Sequence, residues 1–264
     1  MTLRRPYVVI TIVSCVLAIT LGGCQTYGAR LQTSPAGYRV EDASVPDSPF
    51  SRTHWKAILL SGDDSIRAFD NAVRDLAAKL RGAGVEVVAI LSAPSKERPG
   101  THAGLTEAAS KLRPAEGEGC LFYATSHGAF HGLLLSRDTE NDTLTPEELN
   151  AIVTAACGPA PTIVIVSACH SGTFIRETTV APNRILLSAA SELRKSFGCR
   201  AERVYTYYDG CFIQQFGRVR TWEELAASVS ACVHDREAKL QELPSEPQAF
   251  FGRLMKNLPL PTAR

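Results

Sequence analysis

The chain carries almost no excess charge. Lys and Arg number 28 against 27 Asp and Glu, a formal net charge of +1 in 264 residues. The basic residues are spread rather than clustered, which removes the electrostatic footprint of a nucleic-acid or polyanion partner. No internal repeat is evident, which sets aside repeat architectures. The N-terminal apolar run, residues 7–21, is too short to cross a bilayer comfortably. Eight cysteines are present, yet their spacings match neither a small disulfide scaffold nor a zinc ribbon. What remains is a length sufficient for one substantial core, or at most two small ones.

That apolar run follows Arg4 and Arg5, the order of a secretory signal. It ends in Leu21, Gly22, Gly23 and Cys24, which resembles the bacterial lipobox. The resemblance implies cleavage before Cys24 and lipidation of its thiol; a plain signal peptide with an incidental cysteine is the alternative. Gln25 stands where an Asp would signal inner-membrane retention, so the expected location is the outer membrane, facing the periplasm, ahead of the inner membrane or the cell surface. Residues 24–52 are rich in Pro, Ser, Gly and Thr and read as a lipidated tether, with packing of part of it as a sheet edge as the alternative. Residues 1–23 are then the signal, and residues 53–264 the folded domain.

With Cys15 removed and Cys24 lipidated, six thiols remain for an oxidising compartment. If Cys169 stays free, at least one other is unpaired. Cys199 and Cys211, both in a polar loop-rich stretch, are the expected bridge, and Cys120, inside an apolar strand, is expected to be a buried thiol.

Strand and helix signals alternate along the domain. Strands are expected over 55–60, 85–91, 121–125, 162–168, 184–189 and 204–208. Between them, Ile66, Phe69, Val73, Leu76 and Leu80 share a helical face. A shorter helix is expected over 105–112, and an antiparallel extension over 131–136. Thr145, Pro146 and Glu148 spell an N-cap, a first-turn proline and a capping box. A long helix is expected over 222–240, with the tail packing back through Phe250, Phe251 and Leu254. Such alternation predicts an α/β three-layer sandwich with a mainly parallel central sheet flanked by helices.

Two strand ends carry the chemistry. Tyr123, Ala124 and Thr125 lead to Ser126, His127 and Gly128, and residues 164–168 lead to Cys169, His170, Ser171 and Gly172. Neighbouring parallel strands open at one carboxyl edge, where α/β folds bind ligands, so an imidazole and a thiol should meet there. His-Gly after one strand and Ala-Cys-x-Ser-Gly after the next resemble the caspase-like clan of cysteine peptidases, and within it the legumain family. The likeness covers most of residues 55–252 and includes Ser188, Ala189 and Ala190, and Ser245 to Gln248. It implies a caspase-like fold, a polypeptide substrate, no cofactor, Cys169 as nucleophile and His127 as general acid–base. It further implies that the backbone N–H groups of Gly128 and Cys169 receive the oxyanion. A nearby imidazole, or a helix beginning after Cys169, should raise the thiolate fraction.

The substrate pocket is less regular. Ser167 stands two residues before the nucleophile, where legumains have an acidic residue. Arg67, Ser188 and Asp209 are the remaining candidate pocket residues, and an Asn preference does not follow from this set. His131 lies four residues after His127, but Gly128 and the strand context argue against a helical metal pair, and alternation should point His170 away from Cys169. Ser171 lacks a Gly-x-Ser-x-Gly elbow. Three readings stay open: an endopeptidase, a transpeptidase or transamidase using the same dyad, and a non-catalytic scaffold lipoprotein. Oligomeric state is not written in the sequence.

Overall fold

The computed structural model describes residues 38–40, 48–63, 65–92, 97, 99–135, 142–199 and 202–263. The signal, the lipobox and Cys24 lie outside the described residues. The elements are β1 (Tyr38–Val40), β2 (His54–Ser61), α1 (Arg67–Gly82), β3 (Glu86–Ser92), α2 (His102–Ser110), β4 (Glu118–Thr125), β5 (Gly128–Ala129), β6 (Gly132–Leu134), β7 (Thr143–Leu144), α3 (Pro146–Cys157), β8 (Thr162–Ser167), β9 (Arg184–Ser188), α4 (Tyr207–Gln215), α5 (Trp222–Leu240) and β10 (Gln248–Phe251).

Seven strands form one sheet in the order β1-β10-β9-β8-β4-β2-β3. The five from β3 to β9 are mutually parallel. β10 runs antiparallel to β9, and β1 parallel to β10. β5, β6 and β7 make a small antiparallel sheet just beyond β4.

The central strands are apolar on both faces because helices cover both. Ala57, Leu59, Leu121, Tyr123, Ile163 and Ile165 face α1, α4 and α5. The alternate residues Ile58, Leu60, Phe122 and Val164 pack with Leu105 of α2 and Leu149 and Val153 of α3. Burial of side chains such as Leu59 and Ile58, at 0% and 1% exposure, stabilises the fold by about 1.5–3 kcal/mol each. The sandwich is the expected one. α3 starts on Thr145, whose side chain accepts from the Glu148 backbone N–H while Glu148 reciprocates, and α5 begins with the same capping box on Thr221 and Glu224.

Several expectations change. Residues 204–208 are not a strand: Thr206 caps α4 by accepting from the Asp209 backbone N–H at 3.1 Å, so Tyr207 and Tyr208 begin a helix. Aromatic and β-branched residues favour strands only where a neighbour pairs with them, and here the N-cap decides. The tail contributes β10, pairing Phe250 with Leu186 and Phe251 with Ile185. The stretch assigned to the tether supplies edge strand β1, the alternative reading of that segment, and Ser48 bonds to Lys256 and Leu254 carbonyls.

The cysteine pairing is also different. Cys120 is bonded to Cys157, tying β4 to the end of α3, and Cys211 to Cys232, tying α4 to α5. Cys120 points to the face that α3 covers, so it meets Cys157 instead of lying inert. Cys199 does not pair with Cys211; it and Cys169 are the free thiols among the described residues.

Candidate active site

The ends of β2, β4 and β8 lie in register: Ser61 opposite Thr125, and Thr125 opposite Ser167. Pairing continues one residue past the strands, with Ser126 N–H donating to the Ser167 carbonyl at 3.2 Å and Gly62 N–H to Thr125 at 3.0 Å. The residues that follow therefore emerge side by side at the carboxyl edge.

His127 is the first residue beyond that ladder. Its carbonyl accepts from Leu134 N–H at 2.9 Å, which fixes the turn into β5 and β6. The ring is half-buried, edge-on to Phe69 of α1 with centroids 5.3 Å apart and planes at 87°. Nε2 lies 3.2 Å from Ser65 Oγ. Ser65 in turn donates its backbone N–H to Asp63 Oδ1 at 2.6 Å.

Gly128 brings this turn against the thiol-bearing one. A Cβ built on Gly128 would stand 2.2 Å from the Cys169 carbonyl oxygen and 2.8 Å from Ala168 Cβ. Only glycine permits that approach.

Cys169 is half-buried and its thiol donates to the Ser196 carbonyl at 3.4 Å. Burial pushes this thiol up, against the lowering pull of the Ser196 backbone and the Lys195 ammonium. That direction corrects the expected rise in thiolate. The chain after Cys169 makes a 3-10 turn, Ser171–Phe174, too short to act as a helix dipole. Ser171 Oγ accepts from the N–H groups of Ala189 and Ala190 at 3.0 and 3.2 Å, holding that turn on the end of β9.

His170 has φ 57°, so it belongs to a left-handed turn and strand alternation does not apply to it. Its ring packs 4.1 Å from that of Phe130, and its Nδ1 lies 2.9 Å from the Glu192 carbonyl. His131 is exposed, and among the described residues no group of three His, Cys, Asp or Glu could hold a metal ion.

The pocket candidates do not form a single cluster. Asp209, in the first turn of α4, is fully buried and accepts from Tyr123 Oη at 2.5 Å and Thr125 Oγ1 at 2.8 Å. Burial pushes its carboxyl up despite these donors, and it pushes the Tyr123 phenol up as well. Ser167 Oγ lies beside the same carboxylate without reaching hydrogen-bond geometry. Ser188 is buried and donates to the Ala190 carbonyl at 3.0 Å, while Arg67 is exposed at the start of α1.

Sequence reasoning passed over Ser65, Ser196 and the neighbourhood of Cys199. Cys199 is pushed up to about 12 by burial and by the charges of Cys169, Asp209 and Asp63. A small hydroxyl residue after the Gly62-Asp63 turn, beside the histidine strand, was the signal available for Ser65.

Residues 105–233 match the peptidase C13 family. The chain is accordingly a cysteine peptidase, and a family of peptidases implies a polypeptide substrate. Among solved structures, caspase-1 from Spodoptera frugiperda is similar at a TM-score of 0.57 and 12% identity, covering 82% of this chain and 94% of that one. At that identity the likeness concerns the fold, which is caspase-like. No curated protein matches the chain by sequence. The matched segment contains both strand-end turns, the first at His127 and the second at Cys169.

Proposed function

We propose that this C13-family domain hydrolyses peptide bonds with Cys169 as nucleophile and His127 as general acid–base. The observation that carries the reading is the backbone contact of Gly128 with Cys169, which seats the imidazole turn against the thiol turn. Cys169 Sγ leaves the Ser196 carbonyl, gives its proton to His127 and attacks the scissile carbonyl carbon. The developing oxyanion accepts from the Gly128 and Cys169 backbone N–H groups. As the C–N bond breaks, the imidazolium returns the proton to the departing amine, leaving a thioester. Water then gives a proton to His127, attacks the thioester and releases the acid and the thiol.

An amine replacing that water would give transpeptidation at the same site. The pocket candidates Arg67, Ser167, Ser188 and Asp209 are dispersed, and Ser188 and Asp209 are buried and already engaged within the protein. Of these, Ser167 lies on the row of strand-end hydroxyls two residues before the thiol. The N-terminal motif supports anchoring through a lipid on Cys24, with the domain facing the periplasm from the outer membrane. The two disulfides agree with an oxidising compartment of that kind.

The test is cleavage of a mixed fluorogenic peptide library by the wild type and by Cys169→Ala and His127→Ala variants, with and without added amine. Loss of cleavage in both variants is expected, and amide products on adding amine would assign transpeptidation. Full activity in Cys169→Ala, or cleavage by none of the three, refutes the dyad and leaves the scaffold reading.

A further inference from the structure

Among the described residues, Arg184 is the one Lys or Arg that is buried, at 9% exposure. It opens β9, at the end of the sheet away from the thiol. Its Nη1 donates to Asn150 Oδ1 and to the Thr179 carbonyl, both at 2.6 Å, and its Nη2 to Thr154 Oγ1 at 3.3 Å. All three acceptors are neutral. No ion pair among the described residues involves this guanidinium, and its Nε has no hydrogen-bond partner. A buried charge is costly unless a counter-charge meets it.

The same side chain lines a cavity of single-water size between α3 and β9, walled by Leu149, Val153, Val164 and Leu186. The nearby acceptors, Asn150 Oδ1 and the Thr179 carbonyl, already receive Nη1. Asn150 Nδ2 gives one proton to the Thr178 carbonyl at 3.1 Å and has a second to offer. The polar groups left over at the cavity are therefore donors. A water could accept from Nε but would turn its own protons toward apolar walls. An anion only accepts, so it suits these donors and supplies the missing charge.

We propose that this cavity binds one monovalent anion of chloride size, held by Arg184 Nε–H with the Asn150 amide beside it. Its dimensions exclude larger oxyanions. Phe174, the end of the turn that follows Cys169, also lines the cavity, and Thr179 Oγ1 donates to the Phe174 carbonyl at 2.9 Å. Occupancy thus ties residues 174–179 to Arg184, and stability rises with the anion by mass action. No step of the dyad enters, so the site stands or falls independently of the peptidase reading.

The experiment follows thermal melts of the full chain at constant ionic strength as sodium chloride replaces sodium gluconate, whose anion is too large to enter. Above the dissociation constant, each tenfold rise in chloride should raise the wild-type Tm by about 3–5 °C. Arg184→Met, which keeps the length and loses both charge and donor, should lose that slope. Equal slopes in the two proteins, or none in the wild type, overturn the proposal. If Arg184→Met does not fold, the wild type decides alone. Crystals soaked in sodium bromide should show an anomalous peak beside Arg184 Nε, and a cavity holding water or nothing overturns the site.

Discussion

Replacing Gly128 by Ala tests the contact on which the site depends. The added methyl would sit 2.2 Å from the Cys169 carbonyl oxygen and 2.8 Å from Ala168 Cβ, where ordinary contact begins at 3.4 Å. Neither neighbour is a flexible side-chain end, so relief requires the two turns to part by roughly 1 Å. The displaced backbone carries His127 on one side and a proposed oxyanion donor on the other. Overpacking of this kind destabilises by about 1–3 kcal/mol, and losing one oxyanion donor lowers kcat by roughly 10²–10³. Gly82→Ala is the control: nothing lies within 4 Å of its Cβ, it ends helix α1, and the exchange should be neutral or stabilising by up to about 1 kcal/mol. Chemical denaturation and kcat/KM on a peptide substrate read both arms. A Gly128→Ala variant with wild-type stability and activity would show that the two turns are free to separate, and would refute the assembly of the site through that contact.

Three further outcomes are expected. Removing the Cys120–Cys157 bridge by double Ala substitution opens a loop with a sequence separation of 37 residues and should lower stability by about 4 kcal/mol on the loop-entropy estimate; Cys211–Cys232, at 21 residues, should lower it by about 3 kcal/mol. Urea melts unchanged by either loss would contradict the pairing. Asp209 is buried with its folded pKa raised, so its protonated form favours folding at low pH, and that contribution is lost as pH rises through the folded value. Asp209→Asn should therefore differ least from wild type at low pH, where the carboxyl is protonated, and gain on it as pH rises through the folded value; a constant difference across pH would show that burial does not govern this carboxyl. Alkylation of Cys169 in the free protein should accelerate only at a pH above that of an ordinary thiol, because burial outweighs the groups that favour thiolate, while Cys199, at about 12, stays unlabelled. Rapid labelling of Cys169 at pH 7 would overturn that ordering.

Most of the sandwich was legible because its signals are local. Thr145, Pro146 and Glu148 define the start of α3 within four residues, and the apolar face of α1 repeats at helical spacing. Strand β10 was not legible: Gln248 to Phe251 is short, and what makes it a strand is its pairing with β9, some sixty residues earlier. Residues 204–208 show the reverse error, since Val, Tyr and Thr satisfy a strand pattern until Thr206 is seen to cap a helix. Disulfide connectivity failed for a related reason. Cys120 and Cys157 meet because β4 and α3 pack on one face of the sheet, a relation carried by topology and not by spacing.

At the site, the sequence displays the groups proposed to react and conceals those that contact them. His127 and Cys169 each end an apolar strand, so their meeting at one edge follows from parallel pairing, and Gly128 follows from the need for close approach. Ser65 and Ser196 act through a hydroxyl and a carbonyl that almost any loop could offer, so no residue type announces them. The thiol's direction of shift depends on that concealed layer. An imidazole in the neighbouring turn favours thiolate in principle, yet the resting Cys169 bonds to Ser196 instead, and burial then dominates. The same low-dielectric setting strengthens any backbone N–H aimed at a developing oxyanion. On the proposed dyad, a thiol kept protonated at rest and a carbonyl polarised on arrival are two consequences of one buried strand edge, and interactions made only in the transition state raise kcat.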